Sequence, residues 1–181
     1  MDATLLFSDR SIWTMVHGIG LGGGALLGLA AALSLLGAVG GVEMSDVATQ
    51  RQARWLAVLT VLSAVALWLT VIVGTYITFP PYRATPPEGA IDLARYPRSL
   101  LLSNPGTAWL HAFAMEVKEH VPWIAAMLAT AVAFIATSDR TMLLRDRAVR
   151  RIAATLLGVS FVLVAGVSLL GVFINKVAPL E

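Results

Sequence analysis

The 181-residue chain has three histidines, His17, His111 and His120, and no cysteine. Side-chain metal or redox chemistry therefore falls to imidazole, carboxylate and thioether groups. Thiolate metal sites, iron–sulfur clusters and covalently attached c-type haem are excluded. A neutral imidazole binds haem iron or a divalent metal, and near neutral pH it also exchanges protons. His17 opens the stretch HGIGLGGGALLG. On a helix advancing ~100° per residue, His17, Gly24, Gly28 and Leu35 form one narrow stripe, with Gly20 at its edge. Gly20, Gly24 and Gly28 make a small-xxx-small series that lets a second helix approach closely. The same absence of side chains leaves room for a flat cofactor, a haem b, whose iron the imidazole would bind.

His111 and His120 lie nine residues apart and point in nearly opposite directions on one straight helix, so they do not ligate one metal together. His120 lies deeper by up to ~13 Å and is the preferred partner for His17, with His111 as the other choice. Glu116 and His120, spaced i, i+4, share a helix face beside Glu119. Such a pair can fix a tautomer, relay protons or, with His17, hold a divalent metal. Met115, one turn after His111, is a softer alternative ligand. Tyr82 and Arg83, after the double proline, could hydrogen-bond a quinone carbonyl and a haem propionate, respectively, and both are also ordinary interfacial anchors.

The elements that must position these residues are apolar. Hydrophobic residues make up 57% of the chain and charged residues 13%, and the mean hydropathy is +0.78. That composition predicts an all-α integral membrane protein, a four-helix bundle in one domain. The spans fall at about residues 13–39, 55–79, 108–137 and 152–173, with a kink or break at 120–122, where Pro122 lacks an amide hydrogen. Asn104 followed by Pro105 marks a helix start, and residues 105–120 form a separate interfacial helix if that break is complete. A long outer loop between the second and third spans holds six of the eight prolines.

Arg51 and Arg54 lie in the first connection, and Arg140, Arg145, Arg147, Arg150 and Arg151 in the third. The excess of basic residues puts these connections on the cytoplasmic side, leaving both termini and the proline-rich loop outside a bacterial inner membrane. All three histidines, Tyr76, Tyr82, Arg83, Asn175 and Lys176 then gather at the outer face. The N-terminus MDATLLFSDRSIW has no basic start and no small-residue cleavage site, so the first span is expected to be retained. A formal charge of +2 does not point to nucleic acid as a partner.

In VHG with its glycine tract, and in WLHAF and KEH further on, the chain resembles small four-helix cytochrome b-type membrane subunits. The resemblance covers the first and third spans. It implies histidines on different helices gripping a haem, glycines seating it, and a role in a respiratory or photosynthetic electron-transfer complex. Exchange with quinone or with outer-side redox subunits would follow. Two-haem subunits of this kind carry histidines at both faces, whereas this chain has none at the inner one. The alternatives are a cofactor-free anchoring subunit, with the glycines as a helix seam, and a metal- or proton-handling protein using His17, Glu116 and His120.

Overall fold

The structure, a computed structural model, describes residues 8–39 and 47–179, and among them there is no strand. Residues 1–7, on which the expectation of a retained N-terminus bears, lie outside the described residues. Four helices are long and apolar enough to cross a membrane: α1 (Asp9–Ala38), α2 (Gln50–Arg83), α4 (Pro105–Ser138) and α6 (Arg147–Val177). Two short helices, α3 (Pro97–Leu102) and α5 (Arg140–Arg145), sit in the connections. The long helices form a closed ring in which α1 packs on α2, α2 on α4, α4 on α6 and α6 back on α1.

The interior of this ring is built from small side chains. Ala25, Leu29 and Ala32 of α1 meet Leu56, Ala64 and Leu67 of α2, while α4 presents Ala125, Ala129, Val132 and Ala136 and α6 presents Ala153, Leu157 and Val164. Their three- and four-residue spacing keeps them on one face of each helix. Large apolar groups point outward instead: Leu27, Phe134 and Val162 are each about two-thirds exposed or more. That inversion suits hydrocarbon, where alanine and glycine let helices approach and lipid covers the bulky residues. Hydrogen bonds tie neighbouring helices, one in the interior and one near the surface. Ser160 Oγ of α6 donates to the Ala125 carbonyl of α4 at 3.0 Å, and Trp68 Nε1 of α2 donates to Thr130 Oγ1 of α4 at 3.0 Å.

Side-chain caps set the ends. Asn104 Oδ1 accepts from the Gly106 amide at 2.8 Å ahead of α4, with Pro105 in the first turn as its sequence predicts. Asp139 caps α5 through Met142 N at 2.8 Å, and Asp146 caps α6 through Ala148 N at 2.7 Å.

Two boundaries differ from the sequence reading. The break expected at 120–122 is absent: regular α-helix runs through Pro122 from Glu116 to Ser138. Residues 105–120 are therefore no separate helix but the first part of α4, whose irregularity lies about two turns earlier, where Leu110–Met115 is π-helical. At the end of α2, helix continues past Phe79 through Pro80 and Pro81 to Arg83. The π-helical stretch Gly74–Thr78 restarts the backbone pattern there, so the prolines occupy a first turn, where a missing amide hydrogen costs little.

Candidate functional site

A third π-helical stretch, Val16–Gly23, interrupts α1 and contains His17 and four glycines. All three wide turns lie toward the end of the bundle that carries the proline-rich connection. Two of them hold a histidine, and the third holds the glycine against which His17 packs. Wide turns of this type are uncommon and cluster where side chains must be re-aimed.

The first of them changes the predicted stripe. A uniform 100° advance does not hold across Val16–Gly23, yet His17 and Gly28 both lie against α2, and Gly24 and Gly28 line one groove beside it with different crowding. Gly24 is exposed, and a Cβ there, as at Gly20, would meet open space. Gly28 instead faces α2 at the Ser63 hydroxyl. His17 faces α2 as well, and a Cβ on Gly74 would stand 2.8 Å from its Cε1. Gly28 and His17 are eleven residues apart, as are Ser63 and Gly74, which is about three turns on each helix. The two helices thus pair antiparallel in one register, each offering a glycine to the other's side chain.

This contact buries His17 Nδ1 without a hydrogen-bond partner. The Thr70 backbone adjoins the ring, and the charge of Lys118 on α4 acts on it. Because the imidazole occupies the notch left by Gly74, Gly74→Ala is expected to push it out by several tenths of an ångström. The variant should keep its helix, since alanine is the better helix former by about 1 kcal/mol. Whatever depends on the position of the ring should be lost, which the ligand content of the purified variant measures.

His111 is held differently. The Tyr82 hydroxyl, from the last turn of α2, lies 2.9 Å from its Nδ1, so the ring is oriented by a residue of the neighbouring helix and Nε2 is left over. Tyr82 is buried among Leu101, Leu110, Met115 and Ile174, and its ring stacks on Phe79 at 6.0 Å. Arg83 lies over the other part of this group, 5.4 Å from the centre of the Phe79 ring. The charges of Arg98 and Glu119 reach both Tyr82 and His111.

His120 and Glu116 lie on the outside of α4, with side chains 73% and 67% exposed. His120 Nδ1 donates to the Glu116 backbone carbonyl at 2.8 Å, which turns the ring back on its own helix. The depth that favoured His120 in the sequence is real, but depth along a helix does not decide which face a residue occupies. Among the described residues, no three histidine, aspartate or glutamate side chains converge as a metal site, so His17, Glu116 and His120 do not form one. Met115 is buried in apolar packing.

Lys118, Gly74 and Gly171 are the residues that sequence reasoning missed. Lys118 extends to α6, where its Nζ lies 3.0 Å from the position a Gly171 Cβ would take. The signal was present: 118, 125 and 132 are seven apart, and Ala125 and Val132 are fully buried, so that face of α4 points inward. No protein family, curated protein or solved structure matches the chain.

Proposed function

We propose that the protein is a membrane subunit of an electron-transfer complex that binds a b-type haem, with His17 and His111 as the iron ligands. The observation that carries this reading is a half-buried imidazole, His17, whose buried Nδ1 has no partner, at the same end of the bundle as an imidazole oriented through one ring nitrogen, His111. Iron-binding histidines characteristically spend the second ring nitrogen on such an orienting bond. The two residues come from α1 and α4, which both flank α2, and each sits in a wide turn that can shift without breaking a regular helix.

When bound, the haem supplies a one-electron carrier. The chain's own residues do the rest. Tyr82 sets the plane and tautomer of His111, Gly74 fixes how far His17 reaches, and the alanine-rich interior excludes water. The excess of arginine at the opposite end, in α5 and the start of α6, supports reading the proline-rich end as the outer face of a bacterial inner membrane. Electrons would then be exchanged with an outer-side redox subunit. Tyr82 and Arg83, read from the sequence as contacts for quinone and propionate, already hold His111 and Phe79 and are not assigned as ligand contacts.

The exposed position of His120 separates the two candidate partners of His17. His111→Ala is expected to lose the haem, while His120→Ala retains it. Tyr82→Phe should retain haem with shifted absorption bands, because the ring loses its orienting hydroxyl and keeps its packing. Haem content by pyridine haemochrome measures all three, and loss in His120→Ala with retention in His111→Ala would reverse the assignment.

A second reading has its own observation. The His17–Gly74 and Gly28–Ser63 contacts are complementary packing, as a cofactor-free anchoring subunit would require. Under it the wild-type protein carries no haem and His17 matters only to stability.

A further inference from the structure

The outward face of α4 carries a polar pair where the rest of the bundle is apolar. Trp68 packs on Trp123 at 5.7 Å, Ser160 Oγ bonds the Ala125 carbonyl at 3.0 Å, and His17 lies against Gly74. These contacts set the register, so residues 116–120 of α4 stand level with about 71–75 of α2, 165–169 of α6 and 16–20 of α1. At that level the other three helices expose Ile72, Leu169 and Ile19. Their first charges, Arg83, Lys176 and Arg10, come about eight to ten residues farther out, or roughly 12–15 Å. Glu116 and His120 are nevertheless both exposed within this belt, with Phe113 exposed above them and Trp123 below. Lys118, between them in sequence, turns away to Gly171 on α6.

Ionisable groups at membrane depth are costly against lipid and characteristically face protein or water. Neither member of this pair satisfies the other. The Glu116 carboxylate lies 3.9 Å from His120 Nδ1, beyond hydrogen-bond length, and among the described residues His120 Nε2 has no partner. Below the pair the same face continues as a seam: His120, Met127 and Phe134 are all exposed and recur every seven residues, the repeat with which one helix face pairs with another. We propose that α4 is the contact helix of a homodimer in the membrane, in which Glu116 of each copy pairs with His120 of the other. Two copies with the same topology are related by a two-fold axis along the membrane normal, so their α4 helices run parallel with equal residues at equal depth. Four residues rise ~6 Å, a step that the two side chains span together. The Nε2 of each His120 then meets the carboxylate of the other copy, giving two reciprocal bonds across the axis. A face with charges of one sign would repel its own copy, whereas this one is complementary to itself. The inference uses neither His17 nor His111 and does not rest on the haem reading.

The chain has no cysteine, so single introduced cysteines report contacts without background. In native membranes treated with copper phenanthroline, the full-length Met127→Cys and Phe134→Cys variants are expected to form a disulfide-linked dimer. Ile19→Cys and Leu169→Cys, at similarly exposed positions on α1 and α6, should not. In the Met127→Cys background, Glu116→His sets imidazole against imidazole and His120→Glu sets carboxylate against carboxylate. Each should lose most of the cross-linked product. The two substitutions together exchange acid and base and should restore it, because a two-fold axis is indifferent to which position carries which. Equal yields at all four cysteine positions would be random collision and overturn the proposal. Absence of product from both α4 variants also overturns it and leaves that face to a different subunit or to water. So does product that is insensitive to the single charge substitutions or not restored by the exchange, since Glu116 and His120 then do not carry the pairing.

Discussion

His17→Ala is expected to abolish haem binding while the bundle still assembles. On the proposed haem reading the imidazole is the group α1 would offer to an iron, and it packs into α2 only because Gly74 withholds a side chain from the facing turn. Under that reading its removal would delete one ligand and leave His111 alone, too little to retain a b-type haem through purification in detergent. The packing loss is modest. The side chain is half-buried rather than enclosed, so truncation should cost roughly 1–2 kcal/mol, at the low end for deletion of packed groups. Haem content and unfolding temperature measured on the same preparation separate the two effects. Unchanged haem content in His17→Ala would remove the residue from the site.

Gly28→Leu should be the most damaging substitution outside the site, and Gly24→Leu should be nearly silent. The sequence treats these glycines as members of one seam. The structure divides them. A side chain at Gly28 runs into Ser63, whose Oγ is itself committed to the Leu59 carbonyl at 2.7 Å and whose backbone lies close behind. Relief requires α1 and α2 to separate along their whole contact, for which about 3 kcal/mol is a reasonable scale. At Gly24 the added side chain meets open space and enters the shallow groove between Leu27 and Leu62 on the outer surface of the bundle. Gly28→Ala combined with Ser63→Ala should recover most of the stability that Gly28→Ala loses, since the colliding hydroxyl is gone. Comparable loss of stability in Gly24→Leu would mean that the outer glycines are covered by a partner in the assembled complex.

The four long helices are legible in the sequence because charge is so expensive in hydrocarbon that uncharged runs mark them directly. The start of α4 is legible too, since Asn104 and Pro105 form a local cap that depends on no distant residue. What cannot be read is how the helices are rotated against each other. The stripe from His17 to Gly28 does face one neighbour, since His17 and Gly28 both lie against α2, but which of its glycines is crowded and which is open depends on how α2 is rotated, and hydropathy carries no trace of that. The bond between Tyr82 and His111 joins residues 29 apart in sequence on two helices, which only tertiary packing can bring together. His120 and Lys118 are exchanged for a related reason. KEH in the sequence draws attention to its histidine, yet the small-residue pattern of Ala125, Ala129 and Val132, carried back along the helix, turns the lysine toward α6 and leaves the histidine outside. Pro122 misleads because a membrane helix tolerates a freed carbonyl when neighbouring helices pack around it.

The most direct test of the central claim is the absorption spectrum of the protein purified with its native complex intact, oxidised and then reduced with dithionite. A Soret band that shifts on reduction, with sharp visible bands from a six-coordinate low-spin haem, is the predicted result, and those bands should vanish in His17→Ala. A featureless spectrum in both states from the intact complex would contradict the haem assignment and leave His17 and Gly74 as a packing contact.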